Sequence, residues 1–231
     1  MLGTDSLHAS VGIEPVDRYA VIDVGSNSIR LVIFEDLNRS LNVVYNEKIS
    51  CGLGSELSST GKLAEKGVCQ AIENLLRFSR LLEESDVKLV DAVATAAVRE
   101  ATDSKTFVER IKQEVGIQLR ILTGKEEAKY TAYGVVASVT GARGLMADLG
   151  GGSLELAAVG EGSIGETATL PYGSLRFPMQ NQHQLDGQLD QMFDKLTDIE
   201  WLSEHEGQEI YLVGGTWRSL ARLHMVQSKY P

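Results

Sequence analysis

DVGSNSIRL at residues 23–31 and DLGGGSLEL at residues 148–156 are the two stretches that decide how this chain is read. In each, an acid closes a hydrophobic run, a Gly/Ser turn follows, and a second hydrophobic run opens. Sliding the chain by 125 positions superposes Asp23 on Asp148, Gly25 on Gly150, Ser28 on Ser153 and Leu31 on Leu156. Two such strand-turn-strand units imply an internal duplication: two βββαβα halves facing each other, with a cleft between their turns. The alternative is one continuous α/β sheet carrying two similar hairpins.

The flanking sequence fits a repeated α/β unit. YAVID from Tyr19, IRLVIFE and LNVVYNEKIS read as three strands, rich in Val and Ile. A helical stripe of Leu63, Val68, Ile72, Leu75, Leu76 and Leu82 predicts a helix over 62–84. VKLVDAVAT (87–95) reads as a buried strand, 104–115 as a helix with Phe107, Val108, Ile111 and Val115 inward, and IQLRIL (117–122) as another strand. Thr123 followed three residues later by Glu126 is a capping box, so a helix starts there and runs to about Val139. Then the pattern restarts. GLMADLGGGSLELAAV (144–159) is strand, turn, strand, and IGETATLP supplies a third strand. Leu185, Leu189, Met192, Phe193, Leu196 and Ile199 mark an amphipathic helix, IYLV (210–213) a strand, Gly214-Gly215-Thr216 a turn, and 217–226 a helix. Residues 1–17 lack periodicity and read as a flexible N-terminal extension, leaving halves at 18–124 and 125–231.

Composition bounds the function. The 231 residues are 43% apolar and 23% charged, an ordinary globular balance. A net charge of −10 lacks the broad basic field that nucleic acids or anionic membranes select, so neither is an expected partner. No apolar run approaches the roughly 18 residues that a bilayer crossing needs. Cys51 and Cys69 have no metal-like spacing, and no secretory leader is recognisable, so a reducing cytoplasm is the expected location. There is no GxxxxGK[ST] loop, GxGxxG fingerprint or His pair at i, i+4.

What the sequence offers instead is phosphate chemistry. Gly25-Ser26-Asn27 and Gly151-Gly152-Ser153 can present backbone N–H groups and hydroxyls into one concavity, and two such turns across a cleft clamp a phosphate. Asp148 and Glu155 flank the second turn. With Asp23 they offer hard oxygen ligands of the kind Mg²⁺ takes, one or two carboxylates completed by water and phosphate oxygens. Glu126 suits the helix dipole, which leaves Glu127 free to act as a general base if the cleft lies beside it. Arg30 and Arg99 are candidate oxyanion clamps or solvated surface cations, and Lys125, Arg143, Arg176 and Arg218 are weaker candidates.

DVGSNSIRL, ATAAVREA, TGKEEA, ADLGGGSLEL, LPYGSLRF and VGGTWRSLA occur in that order between residue 19 and about 226. In this the chain resembles the exopolyphosphatase/guanosine pentaphosphate phosphohydrolase (Ppx/GppA) family. The resemblance implies two ribonuclease-H-like subdomains of the actin, sugar kinase and Hsp70 superfamily, facing an interdomain cleft. It implies Glu127 as catalytic base, Asp148 and Glu155 at Mg²⁺, the two Gly/Ser turns on phosphate, and Arg99 as the arginine of a TxxxR-like motif. Members commonly dimerise, so a homodimer is possible. They also continue well past the GGT turn, so the second half is expected to be incomplete at Pro231, and Trp217 stands where Ala is usual. The expected activity is Mg²⁺-dependent release of the terminal phosphate of inorganic polyphosphate. The alternatives are guanosine pentaphosphate as substrate at the same site, or a phosphate or nucleotide sensor without turnover.

Overall fold

A computed structural model of the protein describes residues 17–35, 42–160, 162–177 and 182–230. Almost all of the expected N-terminal extension lies outside the described residues. The first sheet combines β1 (Arg18–Val24), β2 (Ser28–Phe34), β3 (Val43–Ser50), β4 (Val87–Ala94) and β5 (Arg120–Ile121) in the order β3-β2-β1-β4-β5. The second combines β6 (Gly144–Leu149), β7 (Leu154–Gly160), β8 (Ser163–Leu170) and β9 (Glu209–Val213) in the order β8-β7-β6-β9. Each half thus has an antiparallel hairpin extended by a third strand on one side and a parallel strand on the other. The one-sheet alternative is set aside.

The repeat reaches down to single hydrogen bonds. Gly25 N donates to Ser28 O at 2.9 Å, and 125 residues on, Gly150 N donates to Ser153 O at 3.0 Å. Asp23 faces Arg30 across its hairpin as Asp148 faces Glu155 across the other.

Alternation decides which face of the first sheet is covered. Ala20, Ile22 and Val24 on β1 and Ile29, Leu31 and Ile33 on β2 point to one side. There they pack on α2 (Glu65–Glu84) through Val68, Ile72, Leu75 and Phe78, and on α4 (Ser104–Glu114) through Phe107 and Ile111. Each fully buried Leu, Ile or Phe contributes about 1.5–3 kcal/mol of transfer free energy. The opposite face carries Val21, Asp23, Arg30 and Lys48, which border a cavity. The second sheet is covered on both faces. Helix α5 (Gly124–Ser138) packs Ala132 and Val135 on Met146, Ala157 and Val159, while α6 (Gln182–Thr197) and a 3₁₀ turn (Glu200–His205) cover Leu154 and Leu156. That double cover explains why β7 is buried from Leu154 to Val159.

Helix α5 begins at the expected cap. The Thr123 hydroxyl accepts from Glu126 N at 3.2 Å, and Glu126 Oε2 accepts from Thr123 N at 2.8 Å. Other expectations need correcting. β4 is buried only at its C-terminal end, with Leu89 59% and Val90 37% exposed. Of the expected strand 117–122, only Arg120 and Ile121 pair with β4, because Ile117, Leu119 and Leu122 turn into the core instead. The short helices α1 (Leu57–Thr60) and α3 (Ala96–Glu100) are unheralded by periodicity, while α7 (Gly215–Gln227) closes the described chain close to its expected range.

Candidate active site

The two sheets and α5 enclose a cavity of about 1130 Å³. Asp23, Gly25, Ser26, Asn27 and Arg30 line it from the first half, and Glu127, Asp148 and Gly150 to Ser153 from α5 and the second half. The turns touch each other. A Cβ added to Gly152 would stand 2.5 Å from Ser26 Oγ and 2.9 Å from Ala96 Cβ, so only glycine permits this approach. Ser26 Oγ also accepts from Ala97 N at 3.1 Å, which fixes the first turn to the start of α3.

Arg99 and Glu155 do not border the cavity; each stands behind a residue that does. Arg99 Nη1 donates to Glu127 Oε2 at 2.7 Å and to Leu122 O at 3.0 Å, so the guanidinium grips the carboxylate instead of an open anion site. Glu155 is 1% exposed, and its Oε1 has no hydrogen-bond partner.

A concentration of carboxylates in a recess of low polarity must hold protons more tightly. Burial, then the neighbouring Glu127 and Asp148, raises Glu155 to about 8. Asp23 opens into the cavity yet is walled by protein, and that surrounding, together with Glu127 and Asp148, raises it to about 6. Asp148 is raised mainly by burial and then by Glu127, against the opposing effects of Thr131 and the cations Lys48 and Arg218. Thr131 Oγ1 donates to Asp148 Oδ2 at 3.4 Å. Among the described residues no three acidic, His or Cys side chains form a ready-made metal cage. The donor set suits a Mg²⁺ that takes one or two carboxylates and finds its other oxygens in water and substrate. Glu155 Oε1, buried without a donor, is the kind of atom such a cation or a proton satisfies.

A profile of the Ppx/GppA phosphatase family matches residues 32–231. The chain belongs to that family. Exopolyphosphatase 1 of Mycobacterium tuberculosis is 30% identical over 163 residues, which cover 69% of this chain and 47% of the relative. Guanosine-5'-triphosphate,3'-diphosphate pyrophosphatase of Aliivibrio fischeri is 30% identical over 152 residues, 65% of this chain and 30% of the relative. The chain therefore spans about half or less of the length of these curated relatives. Among solved structures, an exopolyphosphatase from Cytophaga hutchinsonii superposes with a TM-score of 0.82 at 26% identity, covering 93% of this chain and 72% of that one. The Aquifex aeolicus Ppx/GppA family member gives 0.73 at 28% identity, covering 94% and 72%. The ethanolamine utilization protein EutJ from Carboxydothermus hydrogenoformans, at 15% identity and a TM-score of 0.52, shares the actin-like fold alone.

Within this Ppx/GppA site, several side chains escape sequence reasoning. Lys48 and Thr131 border the cavity, as do Arg120 and Tyr130 at its outer end. Lys48 had a signal in strand alternation, since it shares a face with Asn46 and lies in register with Arg30. Thr131 follows Glu127 by one helical turn, so both face the same way. Of the weaker basic candidates, Arg218 borders the cavity, and Arg176 donates to the Gly152 carbonyl and to Glu100, joining the two halves. Trp217 is not among the cavity-lining residues, although its neighbours Thr216 and Arg218 are.

Proposed function

We propose that this chain carries a phosphoanhydride hydrolase site that removes the terminal phosphate of inorganic polyphosphate with the help of Mg²⁺. The observation that carries the reading is Glu127: its carboxylate borders the same cavity as both Gly/Ser turns, with one oxygen held by Arg99.

In this reading the turns of Gly25–Asn27 and Gly151–Ser153 receive the terminal phosphoryl group on their N–H groups and hydroxyls. Arg99 fixes the orientation of Glu127, whose second oxygen accepts a proton from the attacking water. Asp148 and Glu155 would hold Mg²⁺, which when bound neutralises charge on phosphate oxygens. Holding water, base and phosphoryl group in one geometry is the larger part of such catalysis. Relatives bearing both the exopolyphosphatase name and the guanosine-5'-triphosphate,3'-diphosphate pyrophosphatase name support phosphoanhydride hydrolysis as the reaction class.

The test is phosphate release from polyphosphate and from guanosine pentaphosphate, side by side with Mg²⁺, using Glu127→Gln as control. The expected result is release that the variant lowers by about 10²–10⁴-fold, with kcat/KM higher on polyphosphate. A higher kcat/KM on guanosine pentaphosphate would reassign the substrate. No release by folded wild-type protein, or an unimpaired variant, would end the hydrolase reading.

A further inference from the structure

In both halves, the segment that follows the third strand holds the Gly/Ser turn by its carbonyls. After β3, Gly54 N donates to Ser26 O at 2.7 Å, and Cys51 N and Gly52 N both donate to Asn27 O at 2.9 Å. After β8, Ser174 N donates to Gly150 O at 3.0 Å and Leu175 N to Gly151 O at 2.9 Å, while the Ser174 hydroxyl adds a bond to Gly150 O at 3.3 Å. At the offset of 125 residues, Gly151 stands for Ser26 and Gly152 for Asn27. One position then differs in kind. Asn27 O is held by two backbone N–H groups, whereas Gly152 O accepts from a side chain, Arg176 Nε.

The segment presses closely on the turn, since a Cβ on Gly173 would fall 2.2 Å from Gly151 O. A trans peptide sets each N–H opposite to the carbonyl before it. Fixing the carbonyls of Gly150, Gly151 and Gly152 therefore also fixes the N–H groups of Gly151, Gly152 and Ser153, residues that border the cavity. Arg176 itself is not among the residues that line the cavity, so it acts on the turn and not on its contents. Its Nη2 donates to Glu100 Oε2, and its side chain is half-buried in that pairing. Glu100 belongs to the first half and follows Arg99, whose guanidinium holds Glu127. The fixed fork of one guanidinium thus spans two acceptors, one in each half.

We propose that Arg176 is a positioning residue for the second turn: it holds the Gly152 carbonyl so that the following N–H faces the phosphoryl group, and its pairing with Glu100 makes that hold depend on the first half. The presence of a phosphoryl group there rests on the hydrolase reading above. The first turn is held by backbone alone and keeps its shape whatever the second half does. The second turn is held at Gly152 by a side chain whose other partner lies across the cleft, so its last peptide is set only when the halves are joined. Glu127 is referenced to the same short helix through Arg99, and the turn and the carboxylate are thereby aligned to one another.

The experiment measures phosphate release from long-chain polyphosphate with Mg²⁺ by wild type, Arg176→Ala, Glu100→Ala and the double variant. Arg110→Ala, which removes an arginine–glutamate pair on α4, is the control and should behave as wild type. N–H groups that stay at the cavity wall but lose their alignment still bind substrate and no longer fit the transition state. Arg176→Ala should therefore lower kcat about tenfold with KM within about twofold. Glu100→Ala should lower kcat less, and the double variant should match Arg176→Ala, because both act through one grip. A kcat for Arg176→Ala within about twofold of wild type, a loss confined to KM, or effects that multiply in the double variant would overturn the proposal. If wild type releases no phosphate, the hydrolase reading fails by itself, and NMR still decides the positioning role. The Gly152 carbonyl carbon resonance should move in Arg176→Ala and also in Glu100→Ala, where Arg176 is still present. A Gly152 resonance unmoved in Glu100→Ala would overturn the proposal.

Discussion

In metal-free protein, replacing Glu155 with Gln should raise stability at pH 8 and leave it nearly unchanged at pH 5. The side chain is 1% exposed, and burial followed by the Glu127 and Asp148 carboxylates lifts its pKa from 4.5 to about 8. Between those values the folded protein keeps the proton and the unfolded chain releases it. Unfolding therefore sheds a proton, and wild-type stability falls as pH rises, by 1.36 kcal/mol per pH unit until the folded pKa is passed. The loss reaches roughly 3 kcal/mol at pH 7 and approaches about 5 kcal/mol above pH 8. Gln fills nearly the same volume and does not titrate, so the variant escapes this loss. The assay is urea unfolding followed by tryptophan fluorescence at pH 5, 7 and 8 in chelator. A variant and wild type that stay within about 1 kcal/mol of each other at all three pH values would refute the reasoning. Added Mg²⁺ supplies a second arm, because a cation held by Glu155 stabilises wild type at pH 8 and the Gln variant far less. Equal stabilisation would remove Glu155 from the cation site.

Two further outcomes follow from backbone geometry. Gly214 has φ of 106°, and a Cβ there would stand 2.7 Å from Asp148 Oδ1, so Gly214→Ala should cost roughly 1–3 kcal/mol in thermal unfolding and displace the Asp148 carboxylate. Thr123→Ala removes one side of the cap at the start of α5 and should cost about 1 kcal/mol, with Thr123→Ser recovering most of it. If Glu127 acts as proposed, its place in the first turn of that helix means that phosphate release by Thr123→Ala should fall more than the loss of stability alone accounts for; an unaltered rate would separate the cap from Glu127.

The fold was legible where physics acts locally or repeats. The offset of 125 residues, visible in four matched positions, reappears as the same turn hydrogen bond and as the same order of four strands in both halves, with β5 added in the first. The Thr123–Glu126 cap needs only four residues and was equally plain. What the sequence hid depends on distant partners. Arg99 and Glu127 are 28 residues apart, and nothing local says that the guanidinium grips the Glu127 carboxylate instead of facing a phosphate. The burial of Glu155 follows from α5 and α6 covering both faces of one sheet, a tertiary arrangement that strand alternation does not encode. Lys48 looked like one of many exposed lysines until the register placed it beside Arg30. Leu89 and Val90 read as core by hydrophobicity alone, yet both are exposed on β4.

Helix α3 is five residues long, yet two of its side chains and one of its backbone N–H groups reach different destinations. Arg99 goes to Glu127, Glu100 goes to Arg176 beyond the second turn, and the Ala97 N–H holds Ser26 of the first. A rigid helix of little more than one turn cannot pivot to release one of these grips without dragging on the others. Separation of the halves and misalignment of Glu127 are therefore a single mechanical coordinate. A cleft that opens is therefore also one in which Arg99 loses its hold on the Glu127 carboxylate.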